Sequence, residues 1–141
     1  MILADVNVLI YAFRKDALDH ERYREWLYGI VNGESAYGVS PQVVSSFVRV
    51  STHPGIFASP SRLGEALAFC KILMEQEHCQ LIQPGPRHWT IFTNLCLRSQ
   101  ASGNLVQDAW FAALAIEHGC EWITTDRDYS RFPELRWRPP F

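Results

Sequence analysis

The sequence predicts an α/β domain of three layers, with helices flanking a short central parallel sheet. Short apolar runs, too brief to stand as an independent sheet, alternate with longer segments of helical periodicity, and this alternation is the pattern of a parallel sheet covered on both faces. The breaks between them carry recognisable start and stop signals. A 48% hydrophobic content, with five Trp and eight Phe, supplies a core. One domain over residues 1–141 is expected, since a chain of this size buries about 68–70% of its unfolded surface.

In order, Ile2 to Asp5 forms a buried strand that passes into a helix or turn from Asn7 to Phe13. Asp19 is a candidate N-cap for a helix from His20 to Val31, ended by Asn32-Gly33. Ala36 to Val39 is strand-like. Ser40-Pro41 places a cap before a proline at the first helical position and opens a helix to about Thr52, broken by His53-Pro54-Gly55. Ser59-Pro60 repeats that signal ahead of a helix striped by Leu63, Leu67, Phe69, Cys70, Leu73 and Met74 and ending near Glu77. Gln80 to Gln83 is a strand before the turn Pro84-Gly85-Pro86. A helix from Trp89 to Arg98 and a loop from Gln100 to Gly103 follow. Asn104 and Gln107 have capping-box spacing before the helix Val106 to His118, which Gly119 stops. Glu121 to Thr124 is the next strand, and Arg136-Trp137-Arg138 an edge strand.

Several function classes are disfavoured. No stretch approaches the roughly 18 uncharged apolar residues of a membrane span, and the N-terminal residues lack signal-peptide organisation, so a cytosolic protein without a membrane role is expected. Cys70, Cys79, Cys96 and Cys120 are irregularly spaced and fit buried thiols better than a zinc site. The net charge of −2 does not advertise nucleic-acid binding, although 11 of the 13 basic residues are arginine, the planar donor suited to phosphate. A genome rich in arginine codons explains the same bias.

The aspartates are more informative. Only six occur beside nine glutamates, and Asp5, Asp108, Asp126 and Asp128 stand at special places. Asp5 and Asp126 each follow a strand, at the sheet edge where open α/β folds bind ligands. Asp108 opens a helix whose N-terminus would face the same crevice. Carboxylates so crowded repel one another unless they share protons or a cation, and Mg²⁺ or Mn²⁺ is the hard ion that takes oxygen ligands and engages phosphates. Each aspartate also has an ordinary explanation: Asp5 as a helix cap, Asp108 in a helix dipole, Asp126 and Asp128 as shapers of a turn.

The segments ILADVNVLIYAF, VVSSFVRVSTHPGIF and NLVQDAWFAALAIEHGCEWITTDRDYSRFPELRW resemble PIN-domain ribonucleases, specifically the VapC toxins of bacterial toxin–antitoxin pairs. The resemblance runs nearly end to end. It implies a PIN fold and an acidic pocket that binds Mg²⁺ or Mn²⁺ and hydrolyses RNA to 5′-phosphate and 3′-hydroxyl ends, with transfer-RNA or ribosomal-RNA loops as substrates. Asp5 and Asp108 would then be the principal metal ligands, Asp126 would complete the site, and Asp128 would be a fourth carboxylate or lie just outside the ligands. Asn7 and Thr124 or Thr125 would orient ligands and waters. The resemblance also implies a VapB-like antitoxin, whose C-terminal segment crosses the acidic groove, and a homodimer.

One departure stands out: such proteins often carry a glutamate at the position of Ser46, and the helix around it contains no acid. Serine cannot supply the charge, though its hydroxyl can hold a metal-bound water. Because an acidic pocket repels RNA, flanking arginines must compensate, and Arg14, Arg49, Arg127 and Arg131 are the candidates. Tyr11, Trp110 and Tyr129 are candidates to stack on bases, or else core aromatics. The rival readings are a catalytically impaired PIN module that binds RNA or a protein, and a processing nuclease without an antitoxin. An aspartate-nucleophile phosphatase fits less well, because Asn7 occupies the place of its second aspartate.

Overall fold

The computed structural model describes residues 1–141. Five strands lie in one sheet: β1 (Ile2–Ala4), β2 (Tyr37–Val39), β3 (Cys79–Leu81), β4 (Glu121–Ile123) and β5 (Trp137–Arg138), in the order β3-β2-β1-β4-β5. Every neighbouring pair is parallel, with Leu3 opposite both Gly38 and Trp122. Six helices connect and cover them: α1 (Val6–Phe13), α2 (His20–Val31), α3 (Pro41–Ser51), α4 (Leu63–Glu75), α5 (His88–Ser99) and α6 (Asn104–Glu117). A 3-10 turn, Arg127–Arg131, lies between β4 and β5. No helix is long and apolar enough to cross a membrane.

Strands of two or three residues hold only because both faces are covered. Leu3, Trp122 and Ile123 are completely buried, and burial of such side chains contributes roughly 1.5–3 kcal/mol each. The alanines of α6 let it approach closely: Ala109, Ala112, Ala113 and Ala115 have no exposure, and Phe111 stacks on Trp122 with ring centroids 5.7 Å apart. On the other side Phe13, Phe47 and Phe69 join α1, α3 and α4 through ring contacts of 5.0–5.2 Å.

The start signals divide into those used and those overridden. Ser40 caps α3 as expected, accepting a hydrogen bond from the Gln42 N–H at 3.2 Å with Pro41 in the first turn. Asp19 instead adopts a left-handed conformation (φ 58°) and makes no capping bond. Asn104 and Gln107 do not form a capping box; α6 begins at Asn104 itself, after Gly103 at φ 58°, a backbone angle that glycine adopts without strain. Ser59-Pro60 does not open α4, which starts at Leu63. The Ser59 carbonyl and the Ser61 hydroxyl instead accept from the Arg14 guanidinium, both at 2.9 Å. β3 starts one residue earlier than expected and ends two earlier, at Cys79–Leu81.

The chain runs outward from β1 through β2 to β3, then crosses back to β4 on the other flank. Strand order therefore reverses between β1 and β4, and a crevice opens at their carboxyl ends.

Candidate active site

Asp5 leaves β1 at this crevice, and its backbone N–H still bonds to the Ile123 carbonyl of β4 at 2.9 Å. One side-chain oxygen accepts from the Val6 N–H at 2.7 Å and so caps α1; the other accepts from the Thr124 hydroxyl at 2.6 Å. Thr124 is completely buried, and its oxygen accepts in turn from the Asp126 N–H at 3.0 Å. One threonine thus ties the end of β1 to the loop after β4. Thr125, the alternative support residue, is half-buried.

Asp126 caps the 3-10 turn by accepting from the Asp128 N–H at 2.9 Å. Asp108 projects from the second turn of α6, not the first, because the helix begins at Asn104. Carboxylate oxygens of Asp108, Asp126 and Asp128 all lie within 4.8 Å of one another. Asp5 stands behind this trio, close enough for Asp108 and Asp126 to act on it electrostatically, but outside the group. The structure thus brings the four aspartates to one place and separates three that face solvent or are half-buried from one that is buried.

Their electrostatics follow from the crowding. Burial pushes the Asp5 carboxyl up to about 6; the Thr124 and Val6 hydrogen bonds oppose the rise, and the charges of Asp108 and Asp126 add to it. Asp108 is likewise raised to about 6, by burial first and then by Asp126 and Asp128, with the nearby Tyr129 phenol opposing the rise. Tyr129 is only 1% exposed and is raised well above its ordinary value, mainly by burial and then by the neighbouring acids, so it stays a protonated donor. Its ring packs against Trp122 and Phe132. Sequence reasoning treats it as a base-stacking or core aromatic; its contact with Asp108 has no signal in the sequence beyond its place one residue after Asp128.

Asn7, in the first turn of α1, has a buried Oδ1 with no hydrogen-bond partner in the protein. An orphaned acceptor costs about 1–3 kcal/mol unless something meets it, and one that lies two residues after Asp5 suits a cation or its water. A set of oxygen-only donors, two of them holding protons well above their ordinary range, fits Mg²⁺ or Mn²⁺.

The other sequence candidates separate clearly. Ser46 is half-buried on α3, in a groove it shares with Gln42, Ser45, Gln107 and Trp110. Arg49, Arg127 and Arg131 are exposed. Arg14 is not. It is 7% exposed, clamps Asp16, Ser59 and Ser61, and stacks on Phe57 at 3.7 Å, so its guanidinium is committed inside the fold and its expected contact with RNA is corrected to a structural one. Tyr11 packs on Tyr23 at 5.1 Å. An apolar groove lined by residues of α1, α2 and α4, such as Phe13, Leu27, Tyr28 and Ile72, contains none of the aspartates.

Comparison with known proteins agrees with this geometry. The PIN-domain family profile matches residues 2–135. Ribonuclease VapC25 of Mycobacterium tuberculosis is 39% identical over 141 residues, covering 99% of each chain. Ribonuclease VapC43 of the same organism is 36% identical over 140 residues, covering 99% of this chain and 95% of the relative. Among solved structures, VapBC2 from Rickettsia felis, bound to a DNA fragment from its promoter, superposes with a TM-score of 0.71 at 17% identity, covering 99% of this chain and 98% of the other. VapBC-1 from nontypeable Haemophilus influenzae gives 0.68 at 18% identity with the same coverage. These two share the fold; the sequence relatives share more, and the chain belongs to the PIN-domain family, among its VapC ribonucleases.

Proposed function

We propose that this protein is a metal-dependent endoribonuclease and the toxin of a toxin–antitoxin pair. The single observation that carries the reading is the convergence of Asp108, Asp126 and Asp128 within 4.8 Å, with Asp5 behind them, at the point where strand order reverses. Those residues, with Asn7, would hold a Mg²⁺ or Mn²⁺ ion. When bound, such an ion offsets charge on the phosphoryl oxygens and lowers the pKa of a water.

The chain supplies the rest. Thr124 fixes the Asp5 carboxylate and the Asp126 backbone together, so two ligand-bearing loops move as one. The buried Tyr129 phenol lies near Asp108 and favours its charged form. An aspartate of the cluster that is not fully engaged by the ion would take the proton of the attacking water as general base. Arg49, Arg127 and Arg131 hold the flanking phosphates that the acidic centre repels.

The relatives named as VapC ribonucleases support RNA as the substrate, and the VapBC structures support a VapB-like antitoxin. The family resemblance extends this reading to an unpaired loop of transfer or ribosomal RNA, an antitoxin arginine that pairs with the carboxylates, a homodimer, and action in the cytoplasm. The test is cleavage of total RNA by purified, antitoxin-free protein in Mg²⁺, Mn²⁺ or EDTA, beside Asp5→Ala and Asp108→Ala. Discrete cuts that vanish with EDTA and in both folded variants are expected. Equal behaviour of wild type and variants sinks the catalytic reading.

One observation favours a second reading. The Ser46 region of α3 offers no carboxylate, and the groove around it is wholly uncharged. A PIN module impaired in catalysis but able to bind RNA or a protein would retain binding without metal-dependent cleavage.

A further inference from the structure

The groove between α3 and α6 has a chemistry unlike the rest of the crevice. It is an open groove of about 440 Å³, lined by Pro41, Gln42, Ser45, Ser46, Gln107 and Trp110. None of these is ionisable, and the groove takes in the N-terminal half of α6, the part of the helix that also carries Asp108. Gln42 stands in the first turn of α3, just after β2, at the same carboxyl edge of the sheet as Asp5.

One wall is held rigidly. The Trp110 indole N–H donates to Gln42 Oε1 at 2.8 Å. His88 meets the same ring edge-on at 4.2 Å and Phe92 at 5.2 Å, while a His88 ring nitrogen bonds to the Trp110 carbonyl at 3.0 Å. An indole N–H can only donate, so the bond fixes which end of the Gln42 amide faces Trp110. The Gln42 NH₂ is left as a pair of donors for the groove. Ser45, Ser46 and Gln107 add hydroxyl and amide groups beside them.

We propose that this groove is a nucleobase subsite for the nucleotide next to the scissile phosphate, selecting an unpaired base that carries a keto oxygen, such as uracil. The proposal rests on the ribonuclease reading above. A negatively charged centre cannot gain affinity from the phosphate it attacks without help, whereas a neutral base enters a neutral groove at no electrostatic cost. Polar groups that can hydrogen-bond but carry no charge are the means by which proteins read splayed-out bases of single-stranded RNA. Donors held by Gln42 match a keto oxygen, and adenine, which has none, is the poorest fit. The absence of an acid at Ser46 then has a positive consequence: a carboxylate there would repel both the keto oxygen and the neighbouring phosphate.

The test uses the full chain in EDTA, so that binding is read without cleavage. Hexauridylate and hexaadenylate are titrated against ¹⁵N-labelled protein, following the side-chain amides of Gln42 and Gln107 and the indole of Trp110. Hexauridylate is expected to shift all three and to bind on the order of tenfold more tightly than hexaadenylate, the equivalent of one or two good hydrogen bonds. Gln42→Glu keeps an acceptor for the Trp110 indole while removing the donors, and is expected to weaken hexauridylate binding by at least that factor. Gln107→Ala, a change at an exposed position, is expected to weaken it several-fold with an unchanged melting temperature. Equal binding of the two oligonucleotides, or shifts confined to residues 127–131, overturns the proposal. Groove resonances that respond to protein concentration and not to RNA also overturn it, since the groove would then be a contact between copies. Cleavage in Mn²⁺ is measured in parallel: its absence in the wild type counts against the ribonuclease reading, whereas cleavage with a silent groove counts against the subsite alone.

Discussion

Asp5 holds two hydrogen bonds and is still a costly anion. Burial sets its carboxyl near 6 in the folded chain against an ordinary 3.8, and that difference is worth at most about 3 kcal/mol. The sign is fixed by proton counting. Between those two values the folded state binds more protons than the unfolded one, so metal-free stability is fullest below about 3.8 and falls as pH rises through 6. Asp5→Asn removes the titration. Urea unfolding in EDTA from pH 4 to pH 8 is expected to show the variant gaining on the wild type as pH rises; a difference that does not change with pH refutes the account. Tyr129→Phe isolates the other buried contact. It keeps the ring and removes the hydroxyl near Asp108, so stability should change by no more than about 1.5 kcal/mol. Loss of a group that orients a ligand typically costs about 10–100-fold in metal affinity or activity, so the Mn²⁺ concentration giving half-maximal cleavage should rise at least tenfold. An unchanged Mn²⁺ midpoint would make Tyr129 a core residue only.

At the scale of elements, side-chain clamps decide boundaries that local propensity leaves open. Glu117, at the end of α6, accepts from the Gly85 N–H at 2.7 Å and the Arg87 N–H at 2.9 Å, and so holds the start of α5 from a distance of 30 residues or more. A Cβ on Gly85 would come within 2.7 Å of that carboxylate, which is why glycine suits the turn. Burial pushes the Glu117 pKa upward, but the two N–H bonds and the nearby histidines more than offset it, and the net shift is downward. Its contribution is therefore present above the ordinary 4.5 and lost as pH falls below it. Glu117→Ala should cost about 2 kcal/mol, as expected for hydrogen bonds to a charged group, and Glu117→Gln less; equal melting temperatures for all three proteins would show that the clamp is idle. Arg14 acts in the same way on the segment before α4. Ser59-Pro60 is a sound helix start by local rules, and it fails because Arg14, 45 residues away, recruits the Ser59 carbonyl. Such distant partners are invisible to a reading by windows, whereas Ser40-Pro41, with no competitor, is legible from sequence. The same limit governs the candidate site. Asp5 and Asp126 are legible because each follows a strand, Asp108 because it lies near the beginning of a helix, Asp128 because it shares a turn with Asp126, and Thr124 because it lies between one strand and its acid. The Tyr129 contact and the burial of Arg14 depend on packing in three dimensions.

Over the whole molecule, charge sets the terms for RNA. A chain of net charge −2 with a pI near 6.2 has no general attraction for a polyanion, and its catalytic centre adds four carboxylates at the point of attack. Affinity must come from local cations and uncharged contacts. With Arg14 withdrawn into the fold, the candidates that remain exposed are Arg49, at the end of α3, and Arg127 and Arg131, which bracket the 3-10 turn. If those three meet three phosphates, counterion release on a single strand gives log Kd a slope against log salt of about 2, from roughly 0.7 per contact. Replacing all three with Gln should flatten the slope towards zero and weaken binding at 50 mM salt far more than at 200 mM. Base contacts in the neutral groove would survive as a residual affinity that salt does not change. Filter binding of a metal-free protein across that salt range separates the two contributions. A wild-type slope near zero would place affinity in uncharged contacts alone, and a steep slope retained by the triple variant would move the phosphate track to other arginines. Either result would leave the acidic centre in place but remove these arginines from its substrate path.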